Sequence, residues 1–491
     1  MKTRRPIGPF LALVVVVVGS GCALVAGLQD RAPYPDAGPE DATAPPDAPS
    51  FDTTLPGDSA GSLDSGTADV GDAGLVYFDM TNAANWETFD LGGLGLPVQG
   101  FSGAIFDGRG VYFPPLYGPL YASNPGMIAR YDTTAPFGAA SAWTTFGLSG
   151  IDAGNVGYAG GVFDGRYVHL SPQASPTDGG VGLSGLIARY DTEGGFADAA
   201  AWSTFNTTAL ATTARGFFGS VFDGRYVYLV PYVNSLDGGP YDGLVVRYDT
   251  TAASFGADAF STFNVTSISP AAEGFLGAVF DGRYVYFVPR ANSVSHFTFD
   301  GLVVRFDTEG SFASAAAWTS FDVSKVNPAA IGFGGGVFDG RYLYLVPSNN
   351  GSLGGFDGVV ARLDTTAAFG AAGSWATFDV STLDTRAGGF VGGVFDGRYL
   401  YLVPNTDVGA DGGFAKDGTV ARYDTTLALG SSQAWTFFDV ATISSNAVGF
   451  SGGAFDGEYV YLVPNSYSTV ARFHAKSPGS VPPTVHGGSF L

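Results

Sequence analysis

Cysteine is almost missing from this chain. Cys22 is the single one in 491 residues, which excludes an intramolecular disulfide and any cysteine-rich metal site. Histidine is nearly as scarce. His169, His296, His474 and His486 lie apart in sequence and give no metal-ligand spacing. Charged residues are only 14%, and the 23 Lys and Arg are outnumbered by 45 Asp and Glu, for a formal charge of −22. A surface that acidic repels phosphate backbones, which argues against nucleic acid as a partner. Long apolar runs are also lacking. The longest, FLALVVVVV, is nine residues and too short to cross a bilayer as a helix.

Glycine (73 residues) and aromatics (14%) are abundant. Both are poor helix formers, and together they point to an all-β protein with many tight turns. The N-terminus reads as an export signal: basic MKTRRP, then the short apolar run, then GSGC. Residues 1–21 are therefore expected to be a signal peptide. Cys22, following two small residues, resembles a bacterial lipobox, with Gly19 where that pattern has Leu. The resemblance implies lipidation of Cys22. Residues 22–74 are dominated by Pro, Asp, Ala and Gly and cannot bury enough apolar surface to order themselves. They are expected to form an extended acidic linker.

Beyond the linker the chain repeats. The triplet FDG begins at Phe106, Phe163, Phe222, Phe280, Phe338, Phe395 and Phe455, at intervals of 57 to 60. RYDT or a close relative begins at Arg130, Arg189, Arg247, Arg305, Arg362 and Arg422, and degrades to RFHA at Arg472. A third slot holds Trp86, Trp143, Trp202, Phe260, Trp318, Trp375 and Trp435, and takes all six tryptophans. Self-similarity at such a period is a repeat architecture. Each unit offers four strand-like runs. A small-residue run enters Asp-Gly, read as a type I′ hairpin turn. A second apolar run ends at Pro, a third ends at the Asp of RYDT, and a fourth starts at the Trp slot. Seven four-stranded antiparallel units with buried faces predict a seven-bladed β-propeller over residues 75–475. Residues 476–491 are expected to be a flexible tail.

Ring closure is predicted from the two ends. The repeats start with a fourth strand, Trp86 to Leu91, and stop after a third, Thr469 to Phe473, so these should join in one mixed blade and remove the exposed edges. The run LVYFDM at Leu75 to Met80 competes for the closing position. Its Asp79 lies 7 residues from Trp86, against 11 elsewhere, so it is read as an extra segment. The blade grammar resembles that of kelch and galactose-oxidase-like propellers: a tyrosine-rich second strand, a third ending Tyr-Asp and a fourth beginning with Trp. Kelch blades carry Gly-Gly after the second strand, and here there is Pro. The resemblance implies fold and says little about function.

Several groups of residues invite a functional role. At one end of adjacent strands, Arg109, Arg166, Arg225, Arg283, Arg341 and Arg398 face Asp132, Asp191, Asp249, Asp307, Asp364 and Asp424, with Glu458 and His474 replacing the pair in the last unit. A feature repeated in every unit is read as a structural clasp rather than a partner or metal site. His169 fills a tyrosine slot and is read as a packed strand residue. A ring of aromatics, Phe101, Tyr158, Phe217, Phe275, Phe333, Phe390 and Phe450, precedes the innermost strands and is a candidate rim of the central channel.

Only the segment after the second-strand Pro varies in length, from 15 to 18 residues up to the RYDT arginine in six units and 8 in the last. It carries Tyr117, Tyr121, Tyr232, Tyr241, Phe297, Phe299 and Phe356, with Asp237, Asp407, Asp411 and Asp417. Aromatics among Gly, Ser and Asn on loops suit an adaptable binding surface. No cofactor is expected. Ca²⁺ at Asp407, Asp411 and Asp417 would need a spacing other than the EF-hand one. The expectation is a monomeric, non-catalytic binding propeller on the bacterial cell envelope, contacting an envelope protein or a glycan and touching the membrane only through its lipid. The alternative is an enzyme, a polysaccharide lyase or hydrolase, at the channel mouth.

Overall fold

The structure is a computed structural model that describes residues 69–70, 74–95, 100–116, 126–177, 180–234, 241–294, 298–351, 356–408 and 414–481. The expected signal peptide, Cys22 and almost all of the linker lie outside these residues, as do Tyr117, Tyr121, Asp237, Phe297 and Asp411.

Blade three shows how sequence becomes sheet. Phe217–Phe222, Tyr226–Pro231, Leu244–Asp249 and Phe260–Asn264 pair antiparallel in that order. Val227, Leu229, Val245 and Val246 are β-branched or apolar and buried, as expected of strands covered on both faces. The same four-stranded order occurs seven times among the described residues. First strands touch one another in cyclic order, including blade seven back to blade one, so the sheets form a closed propeller with first strands innermost.

Closure follows the predicted route. Trp86–Asp90 pairs with Thr469–His474, from Trp86 opposite Phe473 to Asp90 opposite Thr469. Arg472 Nη2 reaches Glu87 Oε2 at 2.6 Å across this seam. LVYFDM is not the closing strand. Val76–Tyr77 pairs instead with Lys476–Ser477 and with Asp69–Val70 in a small three-stranded sheet. Met80 then serves blade seven as the connection between third and fourth strands, because Trp86 Nε1 donates to its carbonyl at 2.8 Å. This differs from the expected domain ends. Asp69–Val70 belongs to a strand rather than a linker, and Lys476 begins not a free tail but a strand. Its side chain is buried, with Nζ donating to the Asp396 carbonyl at 2.5 Å.

The Trp slot explains itself at the blade junctions. The Phe three residues after it stacks on the Trp slot of the next blade: Phe89 on Trp143 at 4.7 Å, Phe263 on Trp318 at 4.9 Å and, closing the circle, Phe438 on Trp86 at 5.3 Å. Seven such stacks run round the ring, each worth about 0.5–1.5 kcal/mol beyond the area it buries.

Candidate functional site on the loop face

The propeller has two faces. One carries the FDG hairpins and the connections from third to fourth strands. The other carries the loops from second to third strands and the connections between blades.

On the hairpin face the repeated residues are consumed by structure. In blade three, Asp223 N–H donates to the Tyr226 carbonyl, while Asp223 Oδ1 accepts from the N–H of Arg225 (2.8 Å) and of Tyr226 (2.6 Å). Tyr228 donates its hydroxyl to Asp223 Oδ2 at 2.7 Å. The turn therefore centres on Gly224-Arg225, not on Asp-Gly as the I′ reading has it, because the side chain of Asp223 captures the N–H that its carbonyl would take. Gly224 supplies the positive φ, 99°. In blade two His169 replaces the tyrosine and places Nε2 2.8 Å from Asp164 Oδ2, buried as a strand residue.

The clasp pairs meet as ions. Arg109–Asp132, Arg166–Asp191, Arg225–Asp249, Arg283–Asp307, Arg341–Asp364 and Arg398–Asp424 approach to between 2.7 and 3.0 Å. In blade seven His474 Nε2 lies 3.0 Å from Glu458 Oε1, in a geometry poor for a hydrogen bond, and its ring is stacked between Phe78 and Tyr459. Hydrogen bonds from Arg109 and Arg341 hold the carboxyls of Asp132 and Asp364 down at about 2.

The seven aromatics expected to rim a channel do not do so. Phe101, Phe217, Phe275, Phe333, Phe390 and Phe450 are fully buried and Tyr158 is 1% exposed. Phe101 meets Phe113 and Phe275 meets Phe287, edge to face within the blade. The cause is a bulge. Pairing shifts register just after the aromatic, as between Phe217 and Ser220, where a glycine of positive φ turns the inner strand. Backbones of neighbouring blades then come close: a Cβ on Gly335 would stand 2.8 Å from the Cα of Gly392. The residues after the aromatic form a separate buried cluster in three blades, where Ala159, Phe218 and Leu276 pack with Leu116 against Tyr232.

The loop face differs from blade to blade. Tyr241, Phe299 and Phe356 occupy one register and lie over the glycine that opens the next blade. A Cβ on Gly332 would meet Phe299 Cδ1 at 2.8 Å, and Gly274 and Gly389 face Tyr241 and Phe356 in the same way. Tyr241 is buried and the other two partly so. Tyr232 stacks obliquely on Tyr241, ring centres 5.5 Å apart. Asp407 lies in the short strand Thr406–Val408, and Asp417 accepts from Thr419 Oγ1 at 2.9 Å. Among the described residues no three His, Cys, Asp or Glu side chains gather as a metal site.

Sequence reasoning missed two groups. Arg290, directly after the second-strand Pro of blade four, is 4% exposed and donates Nη1 to the Gly332 carbonyl at 2.7 Å, with its guanidinium 4.8 Å from the Phe299 ring centre. Burial lowers its affinity for the proton. Asp242 and Asp357 each precede the glycine that leads into a third strand, and burial raises their carboxyls to about 6 and about 7. One signal was available: Arg290 is the only charged residue in a slot filled elsewhere by Leu116, Gln173, Tyr232, Ser348, Asn405 and Asn465.

No protein-family model matches the chain, and no curated protein matches it. Solved structures do resemble it. The β-propeller domain of Cps50 (Swd1) from Myceliophteria thermophila is 8% identical over 77% of this chain and 97% of its own, with a TM-score of 0.45. PorZ, a bacterial surface component of the type-IX secretion system of Porphyromonas gingivalis, is 12% identical over 81% of this chain and 39% of its own, with a TM-score of 0.44. The computationally designed Ika8 protein is 10% identical over 76% and 83% of the two chains, with a TM-score of 0.38. At these identities the likeness concerns fold alone.

Proposed function

We propose that this chain is a non-catalytic binding propeller, displayed on the bacterial cell envelope through a lipid on Cys22, whose binding surface is the loop face. Its blade type in this reading is the kelch and galactose-oxidase type, its partner is an envelope protein or a glycan, and it works as a monomer without a cofactor. One observation carries the reading. The residues repeated on the hairpin face mostly hold turn, clasp or junction, and the departures there, His169 and the Glu458–His474 pair, take over the same positions, whereas Arg290 and Tyr232 on the loop face depart from the repeat without such a replacement role.

Chain geometry supports the display. Val76–Tyr77 pairs with Lys476–Ser477 just beyond the end of the third strand of blade seven, which is on the hairpin face.

The test replaces the six long loops with short turns that copy the eight-residue spacing from Pro464 to Arg472. The full chain and this variant are screened against glycans and purified envelope proteins. Loss of capture with an unchanged thermal melt supports the reading, and retained capture overturns it. Mass spectrometry of the mature N-terminus decides the anchor: an unmodified terminus beyond Cys22 removes it.

A further inference from the structure

We propose that Asn350, on the loop between the second and third strands of blade five, is a latent site of self-modification. Its side-chain amide converts to aspartate and isoaspartate, and Asn349 holds that conversion back. The inference stands apart from the binding role above.

Among the asparagines of the chain, Asn350 alone is followed by glycine. That pair carries a chemistry of its own. The peptide nitrogen of Gly351 attacks Cγ of Asn350, forming a C–N bond that closes a five-membered succinimide. The Cγ–Nδ2 bond breaks, and ammonia leaves with the proton of the Gly351 N–H. Water then opens the ring at either carbonyl. Opening at one returns an ordinary aspartate, and opening at the other gives isoaspartate, whose main chain runs through Cβ. A side chain on the following residue would crowd the attacking nitrogen, and glycine has none.

The structure leaves this pair open to solvent but restrains it. Asn350 is half-buried and Gly351 exposed, with φ at 84° in the left-handed region. The restraint comes from Asn349. Its backbone is pinned, because its N–H donates to the Gly332 carbonyl at 3.1 Å and it bridges to Phe356. Its side-chain Oδ1 then accepts the Gly351 N–H at 2.9 Å. The nitrogen that has to lose its proton and attack is thereby engaged. Reaction requires that hydrogen bond to open first, which is a local and infrequent event.

Conversion alters the loop face. A Cβ on Gly351 would meet Phe299 Cδ2 at 2.8 Å, so this stretch of backbone lies against a ring from the blade-four loop. The guanidinium of Arg290 is 4.8 Å from the centre of the same ring. Isoaspartate lengthens the main chain by a methylene at this contact, and both products add a carboxylate beside it.

The test is peptide mapping by mass spectrometry after the full chain is held in mildly alkaline buffer. Trypsin releases residues 342–362 as a single peptide, and fragmentation localises the exchange of amide for carboxyl to Asn350. An isoaspartyl methyltransferase reports the isoaspartate product. Conversion should be several-fold faster in Asn349→Ala than in the wild type, and absent from this position in Asn350→Gln. If Asn349→Ala does not fold, the urea-unfolded wild type decides, because unfolding also releases the Gly351 N–H. It should convert several-fold faster than the native chain. No conversion at Asn350 in the variant or the unfolded chain overturns the proposal. So does faster conversion at another asparagine in either of them, or a native rate equal to theirs.

Discussion

The two faces of the propeller use the same residue types in opposite ways. On the hairpin face, arginine, aspartate and tyrosine recur at fixed spacing, and the clasp arginines, clasp aspartates and hairpin tyrosines are paired within their own blades. On the loop face arginine, aspartate and tyrosine occur once or a few times, at unequal positions, and some of their polar atoms have no partner among the described residues. The carboxyls make the contrast sharpest. Asp132 and Asp364 are held down at about 2 by Arg109 and Arg341, while burial carries Asp242 and Asp357 up to about 6 and about 7. Repetition here marks solved structural problems, and its interruption marks places where stability is given up.

The comparison breaks most severely if the ring is opened. Trp86 is 5% exposed, donates Nε1 to Met80, stacks on Phe438 of the neighbouring blade and packs obliquely on Phe473 across the seam where the first and last strands of the repeats join. Trp86→Ala should cost about 3–5 kcal/mol, read from urea unfolding, since it removes a large buried ring and a hydrogen bond together. A cost below about 1 kcal/mol would mean that the strand Trp86–Asp90 does not close the ring.

The next effect is one of pH, and its direction differs between the faces. The clasp carboxylates contribute above about pH 4, and that contribution is lost as pH falls through about 2. Asp357 acts in reverse. The unfolded chain ionises near pH 4 while the buried carboxyl keeps its proton to about 7, so stability declines as pH rises between those values. Asp357→Asn cannot ionise. Measured against wild type by chemical denaturation at pH 4.5 and 7.5, it should gain roughly 2–4 kcal/mol in relative stability across that interval. A difference independent of pH would remove Asp357 as the cause.

Why is one face legible in the sequence and the other not? FDG, RYDT and the Trp slot announce themselves by period, and period suffices to place strands, clasp and closure. It does not say where a repeated side chain points. Phe101 and its six equivalents sit at the start of the inner strands, but the glycine bulge after them turns the strand and buries the rings, and Ala159, Phe218 and Leu276 pack in a separate buried cluster. The short spacing of LVYFDM to Trp86 rightly excludes it as the closing strand, while its pairing with Lys476–Ser477 joins chain ends that no period connects. Asp357 escapes a reading of the sequence because burial, not residue type, makes it unusual; Arg290 stands out in its slot by charge, but its burial depends on the blade alongside and is not legible there.

A smaller effect is expected in the hairpin core. Tyr228→Phe keeps the ring and deletes the hydroxyl that serves Asp223 Oδ2. An acceptor left unpaired in a part-buried setting should cost about 1–3 kcal/mol. The double variant Tyr228→Phe with Asp223→Asn would report how much of that is specific to the pair. Strict additivity would deny the coupling seen in the structure.

The least effect is expected from the most conspicuous motif. Arg225 and Asp249 meet at 2.7 Å, but the arginine side chain is 57% exposed, so water and salt screen the pair. Arg225→Gln should lower the thermal midpoint only slightly, and the difference should vanish at about 0.5 M salt, where the screening length falls well below 10 Å. If the shift instead persisted at high salt, the clasp would be acting through something other than charge. The remaining contact is then the guanidinium against the face of Tyr226, 4.8 Å away, and Tyr226→Leu would reproduce the loss. Either way the prediction separates visibility in sequence from energetic weight. The clasp is repeated because each hairpin meets the same geometry, whereas the ring depends far more on the quieter Trp86 seam.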